Sequence, residues 1–243
     1  MRDATEQRQA EALAQWWQGR RNVRRLPWRL ATEPLARRAM VEGLLAQTSA
    51  AMVASHYARV FEGVHGYLDW LNLRRVDQVA RVQPLGLPRL KADAVTGIAS
   101  WGASPQPMLH VGALSQFQGI GPYTEAMVLT LHGAEAVPVD TNVQRVGRRA
   151  SCDGDAERWM AAVLGFAEAC PPLQGDERNP PIYQLTSAVL DLGAGPCDID
   201  APDCERCPLY EWLCPTAARR AVQRCLPCER YSDDGHGPPP KPA

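Results

Sequence analysis

Lysine is nearly absent from this chain. Of its 26 basic residues only Lys91 and Lys241 are lysines, so any chemistry that needs a primary amine has two residues to draw on. No apolar run approaches membrane-spanning length, and the N-terminus MRDATEQRQAEA lacks the apolar core of a signal peptide. These absences argue against a membrane protein and lead us to expect a cytoplasmic one. Strand-type alternation is scarce as well. Apolar residues recur instead at helical spacing in 11–17, 40–61, 90–101 and 159–169, and with 45% apolar content the 243 residues read as all-α, with one large or two small cores.

A net positive charge is also missing. The formal balance is −1, but the distribution matters more than the sum. Residues 1–40 hold nine arginines against four acids, a concentration of charge that suits a polyanion. Arg145, Arg148 and Arg149 form a second group on one helical stretch, where phosphate contact and a solvated helix face both fit.

Residues 114–149, LSQFQGIGPYTEAMVLTLHGAEAVPVDTNVQRVGRR, are the centre of the chain. Gly119, Ile120 and Gly121 separate two helical patterns, 111–117 and 122–132. Two glycines let the backbone turn sharply and present N–H groups, and Pro122 suits the first position of the next helix. A helix N-terminus of this kind attracts phosphate. Beyond it, the apolar Val137-Pro138-Val139 delivers Asp140 to the start of another helix. Asp140 there is a favoured N-cap, which needs no chemistry to explain it, or a carboxylate aimed at a ligand.

Glu42 lies in MVEGLLAQTSA among Met40, Val41, Leu44 and Leu45. Apolar surroundings would raise its pKa, as a general acid near neutral pH requires; a solvated helix glutamate is the alternative. The cysteines carry the sharpest spacing. Cys197, Cys204, Cys207 and Cys214 stand as C-x6-C-x2-C-x6-C, enough thiolates to surround a 4Fe–4S cluster or zinc. Eight cysteines without a secretion signal point to metal before disulfide. Cys225 and Cys228 form a second C-x2-C with no partner pair, expected to be unligated, and Cys152 and Cys170 read as core or surface thiols. The tail from Tyr231 is too poor in apolar residues to pack.

The order of Glu42, glycine hairpin, Asp140 and cysteine quartet resembles the helix-hairpin-helix (HhH-GPD) DNA glycosylase superfamily. This is the family of endonuclease III and the MutY-type adenine-mismatch enzymes, and the motifs are most like its adenine-mismatch and thymine-mismatch branch. Leu26-Pro27-Trp28-Arg29, the leucine-glycine turn before Lys91-Ala92 and VLDLGAGPC before the first cluster cysteine add to the likeness. The resemblance implies a two-lobed all-α fold. A six-helix barrel would span 35–146, a cluster lobe would combine 1–34 with 147–224, and 225–243 would be a disordered tail.

The same resemblance assigns roles. Glu42, five positions before Gln47-Thr48, is the catalytic acid, Asp140 faces the extruded nucleotide, and Gln47 enters the duplex to fill the space left behind. Gly119, Ile120, Gly121, Arg145 and Arg148 are the DNA-binding set. Tyr123 stands where the endonuclease III branch carries its Schiff-base lysine, so it lines the base pocket instead. Cys197, Cys204, Cys207 and Cys214 hold a 4Fe–4S cluster, with a final loop one residue longer than the family's.

The implied function is monofunctional glycosylase action in base excision repair on double-stranded DNA, removing thymine or uracil, or adenine, from a mismatch, or a damaged base. The enzyme would be a monomer, nucleoid-associated if bacterial. The 29 residues after Cys214 are too few for the added domain of typical adenine-mismatch enzymes. Two other readings stay open: a bifunctional lyase, for which Lys91 is the amine to test, and a non-enzymatic iron–sulfur DNA-binding or redox protein.

Overall fold

The structure, a computed structural model, describes residues 2–20, 23–30, 32–173, 179–210 and 214–216. The expected all-α class holds: the described residues form helices, turns and loops, with no strand among them. In chain order the helices are α1 (Arg2–Gln18), α2 (Leu35–Met40), α3 (Ala50–Val60), α4 (Tyr67–Leu71), α5 (Arg75–Val82), α6 (Pro88–Gly102), α7 (Pro122–Leu131), α8 (Thr141–Ala150), α9 (Ala156–Leu164) and α10 (Pro181–Gly193). Their starts follow from sequence. Proline occupies the first turn of α6, α7 and α10, where its missing N–H costs nothing, and the side chains of Ser49, Asp140 and Asp155 cap α3, α8 and α9.

Two helices carry most of the core. In α7 every residue from Thr124 to Leu131 is buried, and in α10 every residue from Tyr183 to Gly193, so both are enclosed on all sides rather than amphipathic. α6 packs against α2, α4 and α5, while α1 and α8 each lie on both α9 and α10. Helix α7 touches both α2 and α10. An aromatic row, Trp28, Tyr57, Phe61 and Trp70, runs through the interior with successive ring centroids 5.7, 5.0 and 6.3 Å apart. No helix among the described residues is long and apolar enough to cross a membrane.

One expected helix is not there. Residues 111–117 form a succession of tight turns instead, with Ala113, Ser115 and Phe117 each donating to the carbonyl three residues back. The buried carboxylate of Glu125 explains the difference, because Oε1 accepts from the amides of Gly112 at 3.0 Å and Leu114 at 2.7 Å. A charged acceptor thereby outcompetes the helical carbonyls for these donors. The segment from 217 onward, including Cys225, Cys228 and Lys241, lies outside the described residues.

Candidate active site

α2 runs directly into a 3-10 turn, Val41–Gly43, and Glu42 sits in that turn one helical turn beyond Arg38. Its side chain is buried, with the residue only 2% exposed, and Oε2 has no hydrogen-bond partner among the described residues. Burial pushes the Glu42 carboxyl up to about 7, against the opposing pull of Arg29 and then Arg38. A carboxylic acid that holds its proton near neutrality is a proton donor waiting for an acceptor.

Both arginines are engaged by other side chains. Arg29 Nη1 meets Asp191 Oδ2 at 2.5 Å and its guanidinium lies 5.0 Å from the Trp17 ring centroid. Asp191 also takes Arg24 Nη1 at 3.1 Å. Arg38 donates to Asn179 Oδ1 and stacks 5.2 Å from the ring of Tyr183. Positive charge beside Glu42 is therefore held at set positions by α10 and the segment before it.

Tyr123, in the first turn of α7, joins Glu42 to Asp140. Burial raises its phenol well above the ordinary range, and the charges of Glu42 and Asp140 raise it further. The turn that carries Glu42 packs against α7, and α7 and α8, the helix Asp140 caps, both pack against α10, so the elements bearing residues 42, 123 and 140 are neighbours. Asp140 is also the N-cap of α8. Its Oδ1 accepts from Val143 N at 2.7 Å and its Oδ2 from Asn142 Nδ2 at 2.9 Å. Capping and orientation of the carboxylate are thus the same geometry.

Asn142 continues outward. Its Oδ1 accepts from Arg145 Nη2 at 2.8 Å, and Arg145 Nε donates to Cys197 O at 2.8 Å. Arg145, expected on DNA, is turned inward onto the cysteine loop. Arg149 grips the same loop, donating to Asp198 O at 2.7 Å and standing 3.3 Å from Cys197 Sγ. Arg148, half-buried on the same helix, is also engaged within the protein.

The four cysteines of the quartet are all half-buried. Among the described residues no three Cys, His, Asp or Glu side chains come together as a metal-ligand set. Two of the thiols lie against Arg149, whose Nη1 stands 3.3 Å from Cys197 Sγ and whose carbonyl accepts from Cys214 Sγ at 3.3 Å. Burial pushes the Cys207 thiol up to about 12, and Cys197, Cys214 and Cys204 all add to that rise. A set of soft sulfur donors with an arginine N–H directed at one of them fits the donor chemistry of an iron–sulfur centre. Cys152 is exposed and Cys170 buried.

A platform on α6 carries the outward-facing parts. At Gly43 a Cβ would lie 3.1 Å from Val95 N, so the Glu42 turn rests directly on α6 backbone. Gly119 has φ of 83° and would bring a Cβ within 2.8 Å of Leu90 O, so only glycine lets the hairpin sit on the same helix. Ile120 is half-buried beneath the turn and Gly121 is exposed as the N-cap of α7.

Gln47 is exposed with φ of 54°, and Leu87, 47% exposed at the N-cap of α6, has φ of 49°. Left-handed backbone costs a non-glycine residue roughly 1–2 kcal/mol. Two such residues stand exposed on loops joined by Thr48, whose Oγ1 donates to Leu85 O at 3.1 Å. Gln47 carries an expectation from the sequence resemblance, and Leu87 carries none. A leucine preceding proline is kept out of the right-handed helical region, which was the available signal. Also missed were Asn142, Asp191 and the engagement of Lys91, whose buried Nζ donates to Leu44 O and Ala46 O.

The sequence matches no protein-family model and no curated protein. Solved structures, in contrast, share its architecture. A thermostable thymine-DNA glycosylase is similar with a TM-score of 0.65 and 23% identity, over 89% of this chain and 98% of that one. An endonuclease III trapped as a covalent intermediate with DNA is similar with a TM-score of 0.51 and 21% identity, over 75% of this chain and 84% of that one. The protein therefore has the all-α fold of the helix-hairpin-helix DNA glycosylases. Likeness to the thymine-DNA glycosylase extends through nearly all of that enzyme's chain.

Proposed function

We propose that this protein is a monofunctional DNA glycosylase of base excision repair, acting on thymine or uracil, or on adenine, in a mismatch, or on a damaged base. The observation that carries this reading is the buried carboxyl of Glu42, with Oε2 unpartnered among the described residues and its pKa pushed up to about 7, in a turn that packs against the Tyr123 helix. The nucleotide is flipped out of the stack, because its glycosidic bond is out of reach inside a duplex. Glu42 gives its proton to the base as the bond from C1′ to nitrogen breaks and the electron pair leaves with the base. Asp140 stabilises the positive charge left on the sugar, the task of the second carboxylate in glycoside hydrolysis. Water then attacks C1′, its proton passes to a carboxylate, and an abasic site remains. Tyr123 walls the pocket, with Gln47 filling the vacated space in the duplex.

Lysine geometry supports the monofunctional form. The ammonium of Lys91 is buried and bonded to two carbonyls, and by the sequence resemblance Tyr123 stands where a lyase would carry its amine. Backbone affinity is assigned to Gly119, Ile120 and Gly121 and to the arginine-rich N-terminal region. Cys197, Cys204, Cys207 and Cys214 would hold a 4Fe–4S cluster, which when bound supplies a covalent cross-link of the loop and a redox-capable centre. Arg145 and Arg149 hold that loop against α8.

Incubation of the purified protein with duplexes bearing A, T, U or 8-oxoguanine in each pairing, with and without alkali, tests the reading. Strand breaks that appear only after alkali are expected for at least one duplex. No breaks with any of them would remove its support.

A further inference from the structure

Lys91 does more than fill space in α6. Its Nζ donates to Leu44 O at 2.7 Å and to Ala46 O at 2.5 Å, and the residue is 2% exposed. Those carbonyls belong to the short connection, 44–49, that leads from the Glu42 turn to α3 and carries Gln47. Carbonyls at a helix end have no partner within the helix. In this connection the protein meets two of them with a single buried ammonium. Burial depresses the pKa of Lys91, yet no carboxylate is bonded to it among its hydrogen bonds. An ammonium on a four-carbon stem is costly to bury unless its donors are well used. A neutral side chain of similar size would fill the same volume without binding carbonyls.

The surrounding contacts make this a junction. Lys91, Ala94 and Val95 share one face of α6 by their spacing. Gly43 is pressed against that face, Gly119 of the hairpin packs on Leu90 and Ala94, and Leu87 caps the start of the same helix. Gln47, in the clamped connection, keeps a left-handed backbone that must be maintained by its neighbours.

We propose that Lys91 is a positioning residue that ties the exposed side chain of Gln47 to the Glu42 turn, so that insertion of Gln47 into a duplex and placement of the acid are one event. This rests on the assignment of Gln47 to the DNA face made above. Lys91 itself touches neither substrate nor reacting atoms. Its two bonds fix the carbonyls of Leu44 and Ala46, the second of which belongs to the peptide bond that leads into Gln47, so Gln47 extends from a braced loop. Loss of the ammonium frees the loop without opening a large cavity if the replacement is methionine.

The test is a double-mutant cycle with Lys91→Met and Gln47→Ala in the full chain. The probe is a duplex carrying a tetrahydrofuran abasic analogue flanked by 2-aminopurine, whose fluorescence rises when its stack is disturbed by an inserted side chain. Anisotropy on the same duplex gives affinity. K91M is expected to reduce the fluorescence rise about tenfold, as Q47A does, with affinity changed less than about threefold, since phosphate contacts set affinity. The double variant should show no further loss. A folded K91M protein with the parent's fluorescence response overturns the proposal, as do K91M and Q47A effects that simply add. Should K91M not fold, Lys91→Arg keeps the charge with a different reach and enters the same cycle: non-additivity with Q47A supports the proposal and additivity overturns it. Because the probe has no base to release, the cycle is independent of cleavage. Coupling here with no cleavage of any mismatch duplex would sink the glycosylase reading alone, whereas no binding to the probe would sink both.

Discussion

The side-chain amide of Asn142 donates to Asp140 Oδ2 at 2.9 Å, while Asp140 Oδ1 is occupied by the amide of Val143. Each carboxylate oxygen has its own donor, so the group cannot rotate about its last bond without breaking one. Asn142 is in turn held by Arg145, whose guanidinium is anchored on the carbonyl of Cys197.

Replacing Asn142 by alanine is therefore expected to lower single-turnover base release about tenfold, equivalent to roughly 1.4 kcal/mol for one hydrogen bond to a charged group. The cap to Val143 survives, so thermal stability should move little. Rates under single-turnover conditions and unfolding curves on the same preparation check both halves.

Glu42 makes stability depend on pH in a defined direction. Its folded pKa, about 7, lies above the ordinary 4.5, so between those values the native state keeps a proton that the unfolded chain has lost. Stability falls as pH rises through this window, and the full penalty, roughly 3 kcal/mol for a shift of this size, applies above it. Glu42→Gln removes the charge. Denaturant unfolding should show the variant more stable than the parent at pH 8 and indistinguishable from it, in this respect, below pH of about 4.5.

Leu87 is exposed and strained, a combination that stability does not explain. Leu87→Gly is expected to leave the melting temperature unchanged or raise it slightly, relief of the left-handed backbone offsetting the entropy of glycine at roughly 1 kcal/mol each. Because Leu87 stands exposed on the loop that Thr48 ties to the loop of Gln47, the residue assigned to the duplex, the same change should weaken disturbance of the duplex stack. A fluorescence measurement with 2-aminopurine duplexes separates these opposite effects. A loss of stability without change in the stack would make Leu87 merely structural.

Tyr123→Lys places an amine where the fields of Glu42 and Asp140 meet. Burial there lowers a lysine pKa against the opposing field of the carboxylates, and the fraction that is deprotonated is the nucleophilic amine. Borohydride treatment of this variant with a cleavable duplex should trap a protein–DNA adduct on a denaturing gel. The parent, whose Lys91 is tied to Leu44 and Ala46, should give none.

The parts of the site that could be read from sequence are those governed by local rules. Pro122 starts α7 and Asp140 caps α8 because those preferences act within one helical turn. The buried surroundings of Glu42 followed from its apolar neighbours, although the arginines that oppose its burial come from positions 29 and 38 and are fixed by α10. Long-range competition was illegible. Nothing near 111–117 announces that Glu125 will take the amides of Gly112 and Leu114 and unmake a helix. Arg145 reads as a surface cation on a helix, and only the folded chain shows it reaching Gly193 and Cys197 across 48 and 52 residues. Lys91 was legible as a rare residue, but its carbonyl partners, more than 40 residues away, were not.

The most direct measurement of the central claim is the pH dependence of single-turnover base release, on whichever mismatch duplex the protein cleaves, for the parent and for Glu42→Gln. A buried acid with its pKa near 7 predicts a rate that is flat below about pH 6.5, falls about tenfold per unit above about pH 7.5, and collapses at all pH values in the variant. A variant that keeps the parent's rate, or a parent whose rate does not fall above neutrality, would contradict the assignment of Glu42 as the proton donor.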